Sequence, residues 1–137
     1  MHSILVKDYM DHNPHAIHKD MPIRDVVANL SKASILGAPV VDDVNNLVGF
    51  VSEQDCIKAM LNDAFFCEDS PSVTTVMKTQ VLSVSPETSI LEIAETMANR
   101  PPKNYPVVAS GKLVGLISRS RILKALLENS EDCYLHQ

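Results

Sequence analysis

Leu47-Val48-Gly49-Phe50-Val51-Ser52-Glu53-Gln54-Asp55-Cys56-Ile57 decides the fold of this 137-residue chain. Its opening is an apolar, β-branched run of strand type. From Ser52 the pattern turns helical, with Asp55 one turn in. The chain repeats the corner at Leu113-Val114-Gly115-Leu116-Ile117-Ser118-Arg119-Ser120-Arg121-Ile122-Leu123. Two strand-to-helix corners predict two related pockets, and Asp55 against Arg121 predicts that they are not equivalent.

The repeat extends well beyond the corner. An offset of 67 lays Met10 on Met77, Ile23 on Ile90, and Pro39-Val40-Val41 on Pro106-Val107-Val108. One residue drops out between Asp43-Val44-Asn45-Asn46 and Ser110-Gly111-Lys112. An offset of 66 then matches Leu47-Val48-Gly49, Ser52, Lys58-Ala59 and Leu61 with Leu113-Val114-Gly115, Ser118, Lys124-Ala125 and Leu127. Twelve identities with one gap, placed in a turn, mark an internal duplication.

Each copy reads strand, helix, hairpin, helix. In the first, residues 3–10 predict a short helix capped by Ser3, and residues 15–18 a brief strand. Pro22 opens a helix with the stripe Ile23, Val26, Val27, Leu30. Ala38–Val41 and Leu47–Val51 form a hairpin, and a helix from Ser52 to about Leu61 places Cys56, Ile57, Met60 and Leu61 on one side. In the second, a helix around Val73–Met77 precedes a strand around Val81–Val84. Ser85-Pro86-Glu87-Thr88 opens a helix striped by Ile90, Ile93, Ala94 and Met97. Tyr105–Val108 and Lys112–Ile117 form the second hairpin, and a helix from Ser118 to about Glu128 closes it. The boundaries expected are 1–64 for repeat 1 with its N-terminal helix, 65–72 for a linker, 73–128 for repeat 2, and 129–137 for a polar, frayed tail. One repeat alone leaves apolar strand faces open to water. Two stacked about a pseudo-twofold bury them and create a cleft, giving one compact α/β (α+β) module.

Composition narrows the function classes. A net charge of −5 opposes a nucleic-acid or membrane-surface binder, which needs a basic face. Three cysteines without C-x-x-C spacing suit reduced thiols and a cytoplasmic location. No apolar run reaches the ~20 residues of a membrane span. Nucleophilic catalysis has no G-x-S-x-G elbow, Cys–His spacing or phosphate loop behind it. His12, His15 and His18 are spaced H-x-x-H-x-x-H, but that period does not put three side chains on one strand face, so no metal site is expected.

The corner offers nucleotide chemistry. A helix starting at Ser52 or Ser118 presents backbone N–H groups and a partial positive charge to phosphate oxygens. The serine hydroxyl can donate to them, and an ionised Asp55 accepts from the paired hydroxyls of a ribose. Gly49 and Gly115 leave room for close approach of a backbone or flat ring. Ser52-x-x-Asp55 is equally a capping box, and the two roles are compatible.

Gly49-Phe50-Val51-Ser52-Glu53-Gln54-Asp55, its counterpart Gly115-Leu116-Ile117-Ser118, the preceding Ala38-Pro39-Val40-Val41-Asp42 and Tyr105-Pro106-Val107-Val108, and Met10 and Met77 together resemble a tandem pair of CBS (cystathionine-β-synthase) domains, a Bateman module. The resemblance spans residues 3–128. It implies a β-α-β-β-α repeat, a regulatory and non-enzymatic role, and an adenosyl ligand (AMP, ADP, ATP or S-adenosylmethionine) between the repeats, with no required cofactor. It also implies a homodimer joined through helices and an unidentified regulated protein. By position, the first site takes Phe50, Ser52 and Asp55 with Val81, Leu82 and Asn104. The second takes Pro14, His15 and Gly37 with Leu116, Ser118, Arg119 and Arg121. Arg121 departs from the family's Asp and cannot accept ribose hydroxyls. Either that site is empty or Arg119 and Arg121 serve phosphates extending from the first. The competing reading is a ligand-free interaction scaffold using helix faces and Phe65/Phe66. Tyr105 either stacks on a ligand or packs, and the Arg100–Lys103 loop is a solvated breaker or a border of the cleft.

Overall fold

The computed structural model describes residues 4–62 and 71–135, the last five as backbone only. Phe65, Phe66, Cys67 and most of the expected linker lie outside the described residues. The chain forms two compact units, residues 14–81 and residues 1–13 with 82–137.

In the 14–81 unit, β1 (Ile17–His18) lies parallel to β2 (Gly37–Val41), which pairs antiparallel with β3 (Leu47–Ser52). Every residue of β2 is buried. Helix α1 (Ile23–Ala33) seats Ile23, Val26 and Leu30 against Ile17, Val40 and Val51, as its stripe predicts. It stops at Ser34, in the left-handed region at φ 55°, whose N–H caps the Leu30 carbonyl. Asp42 shapes the hairpin turn by accepting from the N–H groups of Val44 (3.0 Å) and Asn46 (2.9 Å). Helix α2 (Glu53–Met60) follows β3 directly.

The open edge of β3 would leave backbone groups unpaired. The opening segment of the second repeat covers it: the Phe50 and Lys78 amides and carbonyls bond reciprocally at 2.9 Å. A single 3-10 turn, Val73–Thr75, anchors this segment by burying Val73 in the core. Gly49 is required there, because a Cβ would lie 2.5 Å from Met77 Sδ and 2.8 Å from the Lys78 carbonyl.

The other unit repeats the device. Its hairpin is β4 (Asn104–Ala109) with β5 (Lys112–Ser118), flanked by α3 (Ile90–Asn99) and α4 (Arg119–Leu135). Here the covering segment is the N-terminus: Asp11 exchanges backbone bonds with Leu116 at 2.8 and 2.9 Å. Val6, in the 3-10 turn Val6–Asp8, is fully buried with Ile90, Tyr105, Val107 and Ile117. A Cβ on Gly115 would meet the Asp11 carbonyl and Met10 Sδ, both at 2.8 Å. Each hairpin is thus completed by the opening segment of the other repeat.

Several local expectations are corrected. The helices expected at 3–10 and 73–77 are single 3-10 turns. The strand expected at Val81–Val84 is reduced to one parallel bridge between Val84 and Val107, because Pro106 on the partner strand has no N–H to give to the Leu82 carbonyl. Helix α2 buries Asp55 and Cys56, whereas Ile57 and Leu61 are 58% and 77% exposed. Helix α4 runs to Leu135 instead of ending near Glu128.

Candidate functional site

At the first corner Ser52 is the N-cap of α2. Its hydroxyl accepts from the Asp55 N–H (3.2 Å), and Asp55 Oδ2 accepts from the Ser52 N–H (3.0 Å), closing the capping box. The Glu53 N–H is taken by the Leu36 carbonyl at 2.9 Å, so two of the first helical amides are already spent. Asp55 is the one buried charged residue among the described residues, at 7% exposure. Its other oxygen, Oδ1, faces Lys78 Nζ at 3.8 Å, on a side chain two-thirds exposed. Burial, with Asp55 and Glu53 alongside, pushes the Cys56 thiol above its ordinary pKa.

At the second corner Arg121 Nη1 donates to the Tyr9 carbonyl (3.2 Å), and Nη2 lies 3.8 Å from Asp11 Oδ2. Ser118 Oγ pairs with Ser120 Oγ at 3.0 Å, and the Arg119 N–H bonds the Lys103 carbonyl. Tyr9 Oη donates to Glu128 at 2.7 Å; that bond first, then burial and the Glu128 charge, pushes the phenol up to about 12.

The two ion pairs are images of each other with the charges exchanged. The repeat offsets carry Asp55 to Arg121 and Lys78 to Asp11. Arg121 is therefore a compensated replacement, tied to the N-terminal segment. Sequence reasoning missed Lys78 and Asp11, although a signal was present: they follow the aligned Met77 and Met10 and are opposite in charge, as are residues 55 and 121.

The remaining candidates divide between the units. Phe50, Val81, Pro14, His15 and Gly37 share the 14–81 unit with Ser52 and Asp55, whereas Leu82, Asn104 and Leu116 belong with Ser118, Arg119 and Arg121. Gly37 stands directly opposite Ser52 across its hairpin, and Asn104 opposite Ser118. His15, at φ 55°, lines a cavity of about 420 Å³ with Ile17 and Asn29. Leu82 lines one of about 310 Å³ with Arg100 and Tyr105. Of the spaced histidines, His18 joins a carboxylate group: Nε2 is 2.5 Å from Asp43, while Nδ1 accepts from the Asp20 N–H.

The sequence profile of the CBS domain matches residues 6–62 and again 73–128. Among solved structures, CBSX2 of Arabidopsis thaliana in complex with AMP superposes with a TM-score of 0.81 at 26% identity, covering 93% of this chain and 99% of that one. A putative acetoin utilization protein of Vibrio cholerae gives 0.81 at 30% identity, covering 93% of each. The chain is 26% identical over 121 residues to a protein of Methanocaldococcus jannaschii, of which it spans 42%. It is 29% identical over 126 residues to the A-adding tRNA nucleotidyltransferase of Aquifex aeolicus, of which it spans 15%. The chain belongs to the CBS-domain family, as a tandem pair of two repeats. No helix among the described residues is long and apolar enough to cross a membrane.

Proposed function

We propose that this CBS pair is a cytoplasmic, non-enzymatic sensor that binds an adenosyl ligand at the Ser52–Asp55 corner and passes its occupancy to another protein. The carrying observation is the Asp55 carboxylate. Oδ2 is spent on the helix cap, while Oδ1, held in place by that cap and paired only at 3.8 Å with Lys78, is the acceptor offered to ribose hydroxyls. Ser52 accepts a bond from the Asp55 N–H and keeps its own proton for a phosphate oxygen. Phe50, Val81, Leu82 and Asn104 complete the site in this reading. Lys78 favours the phosphorylated ligands AMP, ADP and ATP over S-adenosylmethionine, whose sulfonium it repels. The AMP complex of CBSX2, at 26% identity, supports the same choice. Of the second set, Pro14, His15, Gly37, Leu116, Ser118 and Arg119 stay unused in this reading, because Arg121 is held by Asp11 and offers no acceptor.

The pair is further proposed to form a homodimer. Ile57 on α2 and Leu61 just past its end, and their repeat counterparts Leu123 and Leu127 on α4, are 58–77% exposed and form small apolar patches. A ligand-free scaffold would use the same patches, so ligand dependence separates the two readings. The test is calorimetry with AMP, ADP, ATP and S-adenosylmethionine. One nucleotide per chain is expected, weakened at least tenfold in Asp55→Ala and more modestly in Lys78→Ala. No heat from any of the four at millimolar concentration overturns the sensor, and unchanged affinity in Asp55→Ala overturns the ribose contact.

A further inference from the structure

We propose that His18, Asp20 and Asp43 form a binding site for a divalent transition-metal ion of the kind that prefers imidazole, represented by Zn²⁺. His18 ends β1, Asp20 lies in the turn that follows, and Asp43 lies in the hairpin turn after β2. One ligand atom from each stands within 4.8 Å of the other two. All three belong to the 14–81 unit, and none is shared with the adenosyl site. The imidazole is 40% exposed and the two carboxylates 72% and 77%, so an ion from solvent reaches every one of them.

The hydrogen bonds of the ring decide which atoms bind. Nδ1 accepts from the Asp20 N–H (3.1 Å), so the ring proton sits on Nε2 and is donated to Asp43 at 2.5 Å. That tautomer keeps a lone pair on Nδ1, which lies 3.7 Å from Asp20 Oδ2. Two donors bonded to one tetrahedral Zn²⁺ stand about 3.4 Å apart, so Nδ1 and Oδ2 are close to chelating distance. The ion takes the Nδ1 lone pair, and the Asp20 N–H, on an exposed residue, turns to water. Asp43 stays on Nε2, as the carboxylate that orients a metal-bound histidine through its other nitrogen. Waters complete the shell. A nitrogen in the ligand set selects Zn²⁺ over Mg²⁺ and Ca²⁺, which take oxygen ligands.

The fold itself does not call for these groups. Asp42, not Asp43, shapes the hairpin turn. At the aligned positions the second repeat carries Ser85, Glu87 and Ser110, and it closes its turn with the Ser85 N–H on Thr88 Oγ1 (3.1 Å). Two carboxylates thus face one neutral imidazole, and their charge is what a divalent cation balances. The H-x-x-H-x-x-H spacing does not make the site: the partners of His18 are Asp20 and, 25 residues on, Asp43. The turn is a property of the repeat; the ligand set is a property of one copy.

The experiment is titration of the ¹⁵N-labelled full chain with zinc chloride, read at the ring nitrogens of His18, with magnesium chloride alongside. The ring signals separate this site from His12, His15 and the cysteine thiols. Saturable movement of His18 Nδ1 is expected with Zn²⁺, and none with Mg²⁺ at the same concentration. Asp20→Ala, which removes a ligand, and Asp43→Asn, which removes the orienting charge, should each weaken binding roughly tenfold or more, with amide spectra showing both variants folded. The site is overturned if millimolar Zn²⁺ leaves His18 unmoved, if shifts are confined to other histidines and cysteines (adventitious zinc only), or if folded Asp20→Ala binds like the wild type. Equal movement with Mg²⁺ overturns the ion class. Coordination through Nε2, or unchanged affinity in Asp43→Asn, overturns the role given to Asp43.

Discussion

Asp55 serves its own helix before it serves any ligand. With Oδ2 on the Ser52 N–H and Oδ1 beside Lys78, removing the carboxylate has two separable effects. Asp55→Ala should lower stability by about 1 kcal/mol through the lost cap, measured by urea unfolding. Asp55→Asn, which still accepts the cap bond, should recover most of that stability without recovering nucleotide affinity. Gly49→Ala meets a wall: the Met77 side chain can shift, but the Lys78 carbonyl at 2.8 Å is held by the ladder. A loss of about 1–3 kcal/mol is expected by the same measurement. Tyr9 carries a pH signature. Its folded hydroxyl titrates near 12 and an ordinary one at 10.0, so the Glu128 bond contributes fully below pH 10 and is lost as pH rises toward 12. Tyr9→Phe should cost about 1 kcal/mol at pH 7, and the gap to wild type should close above pH 10.

At the level of elements, the exchanged edge segments explain why the two corners need not be alike. Each corner is finished by residues from elsewhere in the chain, Lys78 for one and Asp11 for the other, so its charge can be reversed if the covering segment reverses too. Arg121→Asp alone sets two carboxylates side by side and should destabilise by up to about 1 kcal/mol, discounted because both groups are partly exposed. Adding Asp11→Lys should restore stability and rebuild the first corner's charges. Calorimetric stoichiometry should then rise from one nucleotide toward two per chain; a value fixed at one would mean that more than this pair closes the second site.

For the whole molecule, the prediction concerns association. Leu61→Asp with Leu127→Asp touches no buried contact, since both residues are exposed, and should leave the thermal transition of the fold in place while light scattering reports a monomer. A dimer unchanged in mass would exclude these patches.

Much was legible because the repeat reports on itself. The hairpins, the stripe of α1 and the Ser52–Asp55 cap follow from local periodicity and spacing, which act within a few residues and are written consecutively. The exposure of Ile57 and Leu61 was not legible, because an apolar residue on a helix does not say how wide the buried face is. Nor was the single bridge at Val84, where Pro106 on the partner strand lacks the N–H that would extend the ladder to Leu82. By itself, then, the sequence determined two copies of one corner and their asymmetry at residues 55 and 121. Only the tertiary structure decided that each hairpin edge is closed by the opening segment of the other repeat, that Arg121 is balanced by Asp11, and that the buried Tyr105 hydroxyl has no partner among the described residues. The reason is physical: edge pairing, charge compensation and hydroxyl satisfaction join residues more than a hundred positions apart in the case of Asp11 and Arg121, and no local pattern records which distant group arrives.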